Sequence, residues 1–459
     1  MRRGIVFGLI GVVVLAIVIF LVVALSGGNK KAVDNTLTIW SPFDEADTFN
    51  KISEQFLTDN PAIKLSYKYV QATDAKDYEA RVVDAIANGN GPDIWLIRTD
   101  WLAKHQAKLV PSTSYVTWSK GKSDEAAAAE DFFGKAIADQ NIRGGHLYGF
   151  PLSVDSLALY INTKVLADAA GALSLSGSAD VDKLADAPAT WTDVVTWDHL
   201  LTKKDSKGNI TTAGIALGTT GNTYAPVDVF NAMLSQYGGS LFTDDEKSVA
   251  LHLAKVVNGQ SQTPGAQALT LFSSFAKPAD PNYSWNATLG DPVNAFVDNK
   301  LAMMIGYSSL SQGIHKANKD FDAVKIVPLP QVDDPAVTGK RIDAANYWTL
   351  AVSKFSNKPA TAWDYLKALG AAGFQKYGAL TGKPSLAQVQ DAPVKLTPGS
   401  LGETDLFAQQ VSFAPAVFKP EWQATDQIVQ DMLNQALLAN QTPQAAVDSA
   451  AERLKALLQ

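Results

Sequence analysis

Apolar and polar positions along this chain follow two alternating periods, one of two residues and one near 3.6. Leu37-Thr38-Ile39-Trp40 reads as a strand ended by the Ser41-Pro42 turn. Residues 47–59 follow with apolar side chains at Phe49, Ile52, Phe56 and Leu57, a helical spacing. Residues 63–70 alternate as a half-buried strand does, residues 78–87 return to the helical period, and Asn88-Gly89-Asn90-Gly91-Pro92 stops them. Further strands are predicted at 93–97, 157–161, 210–217, 301–305 and 324–327, and a helical tail over 421–459. Strands alternating with helices predict an α/β body with a largely parallel sheet. Residues 167–188, rich in Ala, Ser, Gly and Asp, read as a surface insertion.

One stretch breaks this rhythm. Residues 4–25 carry no charge, and an apolar helix of about 22 residues covers roughly 33 Å, enough for a ~30 Å hydrocarbon core. Arg2 and Arg3 precede it, so the predicted arrangement is a single-pass N-terminal transmembrane anchor with the body on the extracytoplasmic side of the cell membrane. A cleavable signal peptide is the rival reading, with Ala24-Leu25-Ser26 as a loose cleavage site, although signal cores typically run only about 7–15 residues. Either way the body is exported. Residues 26–36 are small and polar, as a flexible linker should be.

Composition narrows the function classes. The chain has 459 residues, a formal net charge of −7 and no cysteine, which excludes disulfides, thiolate metal sites and Cys nucleophiles. A net acidic body without clustered Lys and Arg is a poor partner for nucleic acid. The five histidines have no paired metal spacing, and the sequence has neither a G-x-S-x-G elbow nor a Walker A loop. Instead, aromatic residues stand beside polar ones at the ends of predicted strands. Trp40 to Glu45 follows the first strand, Arg98-Thr99-Asp100-Trp101 the third, Tyr307-Ser308-Ser309 the strand at Met303, and Asn346-Tyr347-Trp348 precedes another apolar run. Ligands of open α/β sheets sit outside the carboxyl ends of strands. Aromatic faces beside hydrogen-bonding groups suit a neutral polar ligand such as a sugar, while core packing is the alternative for any one of them.

The stretches LTIW at 37–40, GPDIWLIRTDWLAKHQAKLVP at 91–111, YGFPLSVDSLALYINTKVL at 148–166 and PATWTDVVTWDHLL at 188–201 form one series. It continues with AFVDNKLAMMIGYSSL at 295–310, VKIVPLPQ at 324–331, ANYWTLAVSKFSNKPATAWDYLKAL at 345–369 and TPQAAVDSAAERLKALL at 442–458. In order and spacing this series resembles family 1 of the extracellular solute-binding proteins of ABC importers, the maltose-binding-protein-like group. The resemblance implies a two-lobed periplasmic-binding-protein-like α/β fold with an interdomain cleft, here preceded by the N-terminal helix. Lobe 1 would comprise residues 37–152 plus 306–345, and lobe 2 residues 153–305 plus 346–459. Crossings would fall near Pro151-Leu152, near Ile305-Gly306 and just before Tyr347, with Pro151 and Gly306 suited to hinges.

By position, the resemblance implies ligand contacts from Trp40, Asp44, Asp100, Trp101, Asp155, Tyr224, Tyr307, Tyr347, Trp348 and Trp422. Glu45, Arg98 and Asn346 could equally be core or lobe-surface residues. The implied function is capture of a small solute, a mono- or oligosaccharide above all, by cleft closure, and its delivery to ABC permease subunits. No enzyme activity, cofactor or metal is implied, and a monomer is expected. Members anchored by lipid need an N-terminal Cys, which this chain lacks, so a membrane helix would take that role. A ligand-presenting receptor subunit for a sensor and an exported glycan-acting enzyme on the same scaffold remain the alternatives.

Overall fold

The computed structural model describes residues 35–115, 124–257, 259–333, 340–386, 403–438 and 441–459. Ten strands build two five-stranded sheets. In chain order they are β1 (Thr36–Ser41), β2 (Lys64–Tyr69), β3 (Ile94–Arg98), β4 (Gly149–Pro151), β5 (Ala158–Asn162), β6 (Lys203–Lys204), β7 (Ile210–Ile215), β8 (Leu301–Gly306), β9 (Val324–Pro328) and β10 (Trp348–Val352). The first sheet has the order β2-β1-β3-β10-β4 and the second β9-β5-β8-β7-β6. β1, β2 and β3 run parallel, as do β7 and β8, while β10 runs antiparallel to β3.

The hydrophobic pattern explains these elements. β5 and β8 are buried along their whole length, which is why residues 157–161 and 301–305 read as unbroken apolar runs. In β1 only alternate residues are buried, and Leu37 and Ile39 share a core with Phe49, Ile52 and Phe56 of the helix Ala46–Asp59. Residues 167–188 are more than a surface insertion. They hold the end of the helix Thr163–Leu175 and a 3-10 turn, and Ala169 and Leu184 enter the second lobe's core.

The sheets are joined by several crossings. Residues 152–157 carry the chain from β4 to β5, bridged at Ser153 to Ser385 and at Ser156 to Ala345. The return runs between β9 and β10. The strand pairing differs from the expected division in the segment after β8. Val324–Pro328 pairs with β5 from Val324↔Asn162 to Pro328↔Ala158, so it belongs to the second sheet. Trp348–Val352 pairs with β3 and β4 in the first sheet. Periodicity marks a strand without naming its hydrogen-bonding partner, and partner choice was what the division needed. Gly306 accordingly lies at no crossing. It pairs with Ala158 inside the second sheet, and a Cβ there would lie 2.6 Å from Leu310 and 3.0 Å from Tyr224.

The expected membrane anchor is corrected. Among the described residues no helix is long and apolar enough to cross a membrane. The 23-residue stretch Pro359–Thr381 has the length, but it breaks at Gly370 and carries Asp364, Lys367 and Lys376. The expected span at 4–25 lies outside the described residues, as does nearly all of the linker at 26–36. The single-pass tether, and the localisation built on it, are not carried further.

Candidate functional site

A cavity of about 1390 Å³ opens between the two sheets. Its first wall comes from the segment after β1 (Phe43, Asp44, Glu45), from Arg98 at the end of β3, and from Asn346, Tyr347 and Trp348 at the entry to β10. Its second wall comes from Asp155 in the crossing, from Tyr224 to Asp228 at the start of the helix Pro226–Gln236, from Tyr307 to Ser309 after β8, and from Asp426.

Trp348 is the best-supported aromatic of the first wall. Its position is fixed by pairing with Arg98 in the sheet. Edge contacts with Phe43, Tyr78 and Trp101, at centroid separations of 5.6, 5.6 and 5.2 Å, hold the ring itself. On the second wall Tyr224 precedes Ala225, whose φ of 46° is left-handed, a strained backbone for a residue with a side chain. The turn starts the helix at Pro226, and the Tyr224 hydroxyl lies 3.0 Å from Ser309 Oγ.

The polar groups are ordered by one another. Asp155 Oδ1 accepts from the Ser308 N–H at 3.0 Å, and its Oδ2 accepts from Ser308 Oγ at 2.7 Å. Burial nevertheless pushes its pKa up to about 7, with these hydrogen bonds opposing the rise. Glu45 accepts from Tyr377 at 2.8 Å and pairs with Lys383 at 2.5 Å, while the Lys383 ammonium also sits 3.9 Å from the Phe43 ring centre.

Behind the cavity lies a buried charge network. Arg98 pairs with Asp100 at 3.0 Å, and Asn346 donates to the same carboxylate at 3.1 Å. Lys419 reaches Asp100 at 3.0 Å and Asp426 at 2.7 Å, with Asp228 at 3.8 Å. Tyr307 donates to Asp228 at 2.9 Å. Burial disfavours ionisation of Asp100, but Arg98 and Lys419 outweigh it and hold the carboxyl below the ordinary range. Burial pushes Asp426 up against the pull of Lys419. The Tyr307 hydroxyl is pushed well up by burial and by Asp228.

Of the residues expected at the site, Asp44, Asp155, Tyr224, Tyr307, Tyr347 and Trp348 line the cavity, although Tyr347 is 3% exposed and its hydroxyl is turned to Asn141. Trp40, Asp100, Trp101 and Trp422 do not line it. Trp101 is fully buried and stacks on Trp422 at 5.3 Å, and the Trp422 indole donates to Glu79 at 2.8 Å. Trp40 carries the Lys68 ammonium over its ring at 3.7 Å. These are packing roles, the alternative that sequence could not separate from ligand contact. Asp228, Asp426, Lys383 and Lys419 went unnoticed. Only Asp228 had a local signal, an acidic residue in the first turn of a helix opened by Pro226. Among the described residues no cluster of His, Asp or Glu is placed to hold a metal ion.

Two α/β lobes with a cavity between them, joined by crossing segments, define a binding protein of the hinged, two-lobed kind. The chain belongs to the bacterial extracellular solute-binding protein family, whose model matches residues 42–376. Solved structures of the same fold include an ABC transporter solute-binding protein from Thermotoga lettingae bound with α-D-tagatose. It shares 19% identity and a TM-score of 0.63, with 93% of this chain and 100% of that chain covered. The GacH receptor of Streptomyces glaucescens, solved unliganded and with acarbose, shares 19% identity and a TM-score of 0.62 over 92% and 98% of the two chains. The cyclic α-maltosyl-1,6-maltose binding protein of Arthrobacter globiformis shares 17% identity and a TM-score of 0.68, again over 92% and 98%. The family is one of solute binders, and the chain is read as a binder rather than an enzyme.

Proposed function

We propose that this protein captures a carbohydrate in the cavity between its lobes and delivers it to an ABC permease. The observation that carries the reading is the make-up of the two walls. Trp348 and Phe43 face the cavity from one lobe and Tyr224 and Tyr307 from the other, among Asp44, Asp155, Asn346 and Ser308. Aromatic faces cover the C–H faces of a sugar ring, and the polar side chains exchange hydrogen bonds with its hydroxyls. The structurally similar proteins bound with tagatose or acarbose, and the one named for binding cyclic α-maltosyl-1,6-maltose, support the same ligand class. A cavity of about 1390 Å³ has room for more than one sugar ring. The proposed contacts are Asp44, Asp155, Tyr224, Tyr307 and Trp348, with Tyr347 behind them. The membrane tether expected from sequence forms no part of this reading.

The test is a thermal-shift screen followed by calorimetry, using mono- and oligosaccharides, polyols, amino acids and short peptides. A ligand at about 100 times its Kd stabilises the folded state by about 2.7 kcal/mol, a rise of a few degrees in Tm. A shift confined to one sugar class, lost in Trp348→Ala, is the expected result. A shift from amino acids or peptides with none from sugars would overturn the carbohydrate assignment.

A further inference from the structure

We propose that Tyr69 and Leu380 form an outer subsite on the first wall, which takes the far end of a linear oligosaccharide and so selects ligands by chain length. The inference rests on the carbohydrate reading of the cavity. Tyr69 ends β2 and lies on the same strand face as Tyr67, two residues earlier. The Tyr67 ring packs on Phe49 at 4.8 Å, and its hydroxyl donates to the Phe43 carbonyl at 2.7 Å. Tyr377 also meets Phe49, at 6.3 Å, and its hydroxyl donates to Glu45. Leu380 follows Tyr377 by three residues, on the same helix face. Tyr69 and Leu380 are therefore the next residues along from a packed pair that holds the segment Phe43–Glu45, and both line the cavity.

Two observations set this pair apart from the other apolar residues of the wall. The first is that it is uncovered. Tyr69 is 42% and Leu380 41% exposed, and among the described residues the Tyr69 side chain has no ring or hydrogen-bond partner. Trp348 is instead held by three rings, and Phe43 is met edge-on by Trp348 and covered by the Lys383 ammonium. Apolar surface left open on a cavity wall is stabilised only when a ligand covers it. The second is distance. In the order β2-β1-β3-β10, three strand spacings of ~4.8 Å put Tyr69 roughly 14 Å from Trp348. One sugar ring cannot lie on both, and a short linear chain can. Asp44 offers acceptors to the hydroxyls of such a chain from the first wall. Ser309, Gln312 and Lys316, on one face of the helix Ser309–Ala317, offer polar groups from the second.

The test is calorimetry on the full-length protein with three probe series of one to four rings: α-1,4-linked glucose, β-1,4-linked xylose and β-1,4-linked mannose. In the series that binds, wild-type affinity should rise at least about tenfold from the single ring to the tetramer, the worth of one further aromatic contact. Tyr69→Ala should remove that gain and change the single-ring affinity by less than about twofold. Tyr69→Phe should keep the gain, because the ring face is retained, and Leu380→Ala should lose part of it. Trp348→Ala, by contrast, should weaken every length. Tyr69 is exposed at the edge of the sheet, so its variants should unfold at the wild-type Tm without ligand. An equal loss at every length, or no loss at any, would overturn the outer subsite and leave carbohydrate capture standing. Binding confined to single rings would do the same. No binding from any series would overturn the linear-oligosaccharide assignment, and the broader screen decides the carbohydrate reading separately.

Discussion

Asp155 offers a test of how the crossing segment is held. Its carboxylate, half-buried on the cavity wall, ties the first crossing to the loop after β8 through Ser308. Substitution by Asn keeps this geometry, because the amide oxygen accepts from the Ser308 N–H and the amide nitrogen donates to Ser308 Oγ. What it removes is the charge. The folded-state pKa of the acid stands near 7 against an ordinary 3.8, with burial the first cause. Such an acid holds more protons folded than unfolded, so its contribution to stability is complete below about pH 4 and is lost as pH rises through about 7. Full burial would make that loss ~4 kcal/mol, and partial exposure to the cavity reduces it to ~2 kcal/mol. The assay is urea unfolding of the wild type and Asp155→Asn at intervals from pH 4.5 to 8.5, and the quantity of interest is the difference between them. The wild type should lose stability relative to the variant across pH 4.5–7 and hold level above. A difference that does not change with pH would refute the reasoning, since it would mean that the carboxylate ionises without penalty where it sits.

Other expectations follow from the same geometry. Trp348→Ala should abolish or strongly weaken the ligand response in calorimetry while leaving a folded circular-dichroism spectrum, and unchanged affinity would remove Trp348 from the site. Trp101→Ala, at a fully buried position stacked on Trp422, should cost ~3–5 kcal/mol in urea unfolding, and a cost under ~1 kcal/mol would mean that the ring is not core. Gly149→Ala should destabilise by ~1–3 kcal/mol, because the added methyl meets Asn141 Oδ1 and lies 2.6 Å from Thr349 Oγ1; a neutral result would show that the strand can shift there. Asp198, 1% exposed and raised to about 7 chiefly by burial, should make stability fall over the same pH window as Asp155, so Asp198→Asn should flatten that part of the profile.

The elements themselves were written locally. The apolar alternation at Leu37 and Ile39, the helical spacing of Phe49, Ile52 and Phe56, and the unbroken runs at 157–161 and 301–305 all depend on a strand or helix presenting a face to a core, and each formed where the pattern put it. The aromatic-plus-polar turns after β1 and β8 and before β10 contribute residues to both walls of one cavity, because strand ends are where such folds open to ligand.

Partnership was decided only by the tertiary structure. Val324–Pro328 and Trp348–Val352 are both apolar strands, and nothing in their own residues says that the first pairs with β5 and the second with β3. Trp101 and Trp348 look alike in sequence, yet one is sealed beneath the other, since burial depends on chain that folds in from far away. Lys419 shows the limit most clearly. Alone it is one lysine before a proline, and it becomes a buried charge only when Asp100 and Asp228, from two distant segments, converge on it and on the nearby Asp426. Side-chain period and turn chemistry are properties of neighbours in sequence, and the energies of pairing and desolvation are properties of neighbours in space.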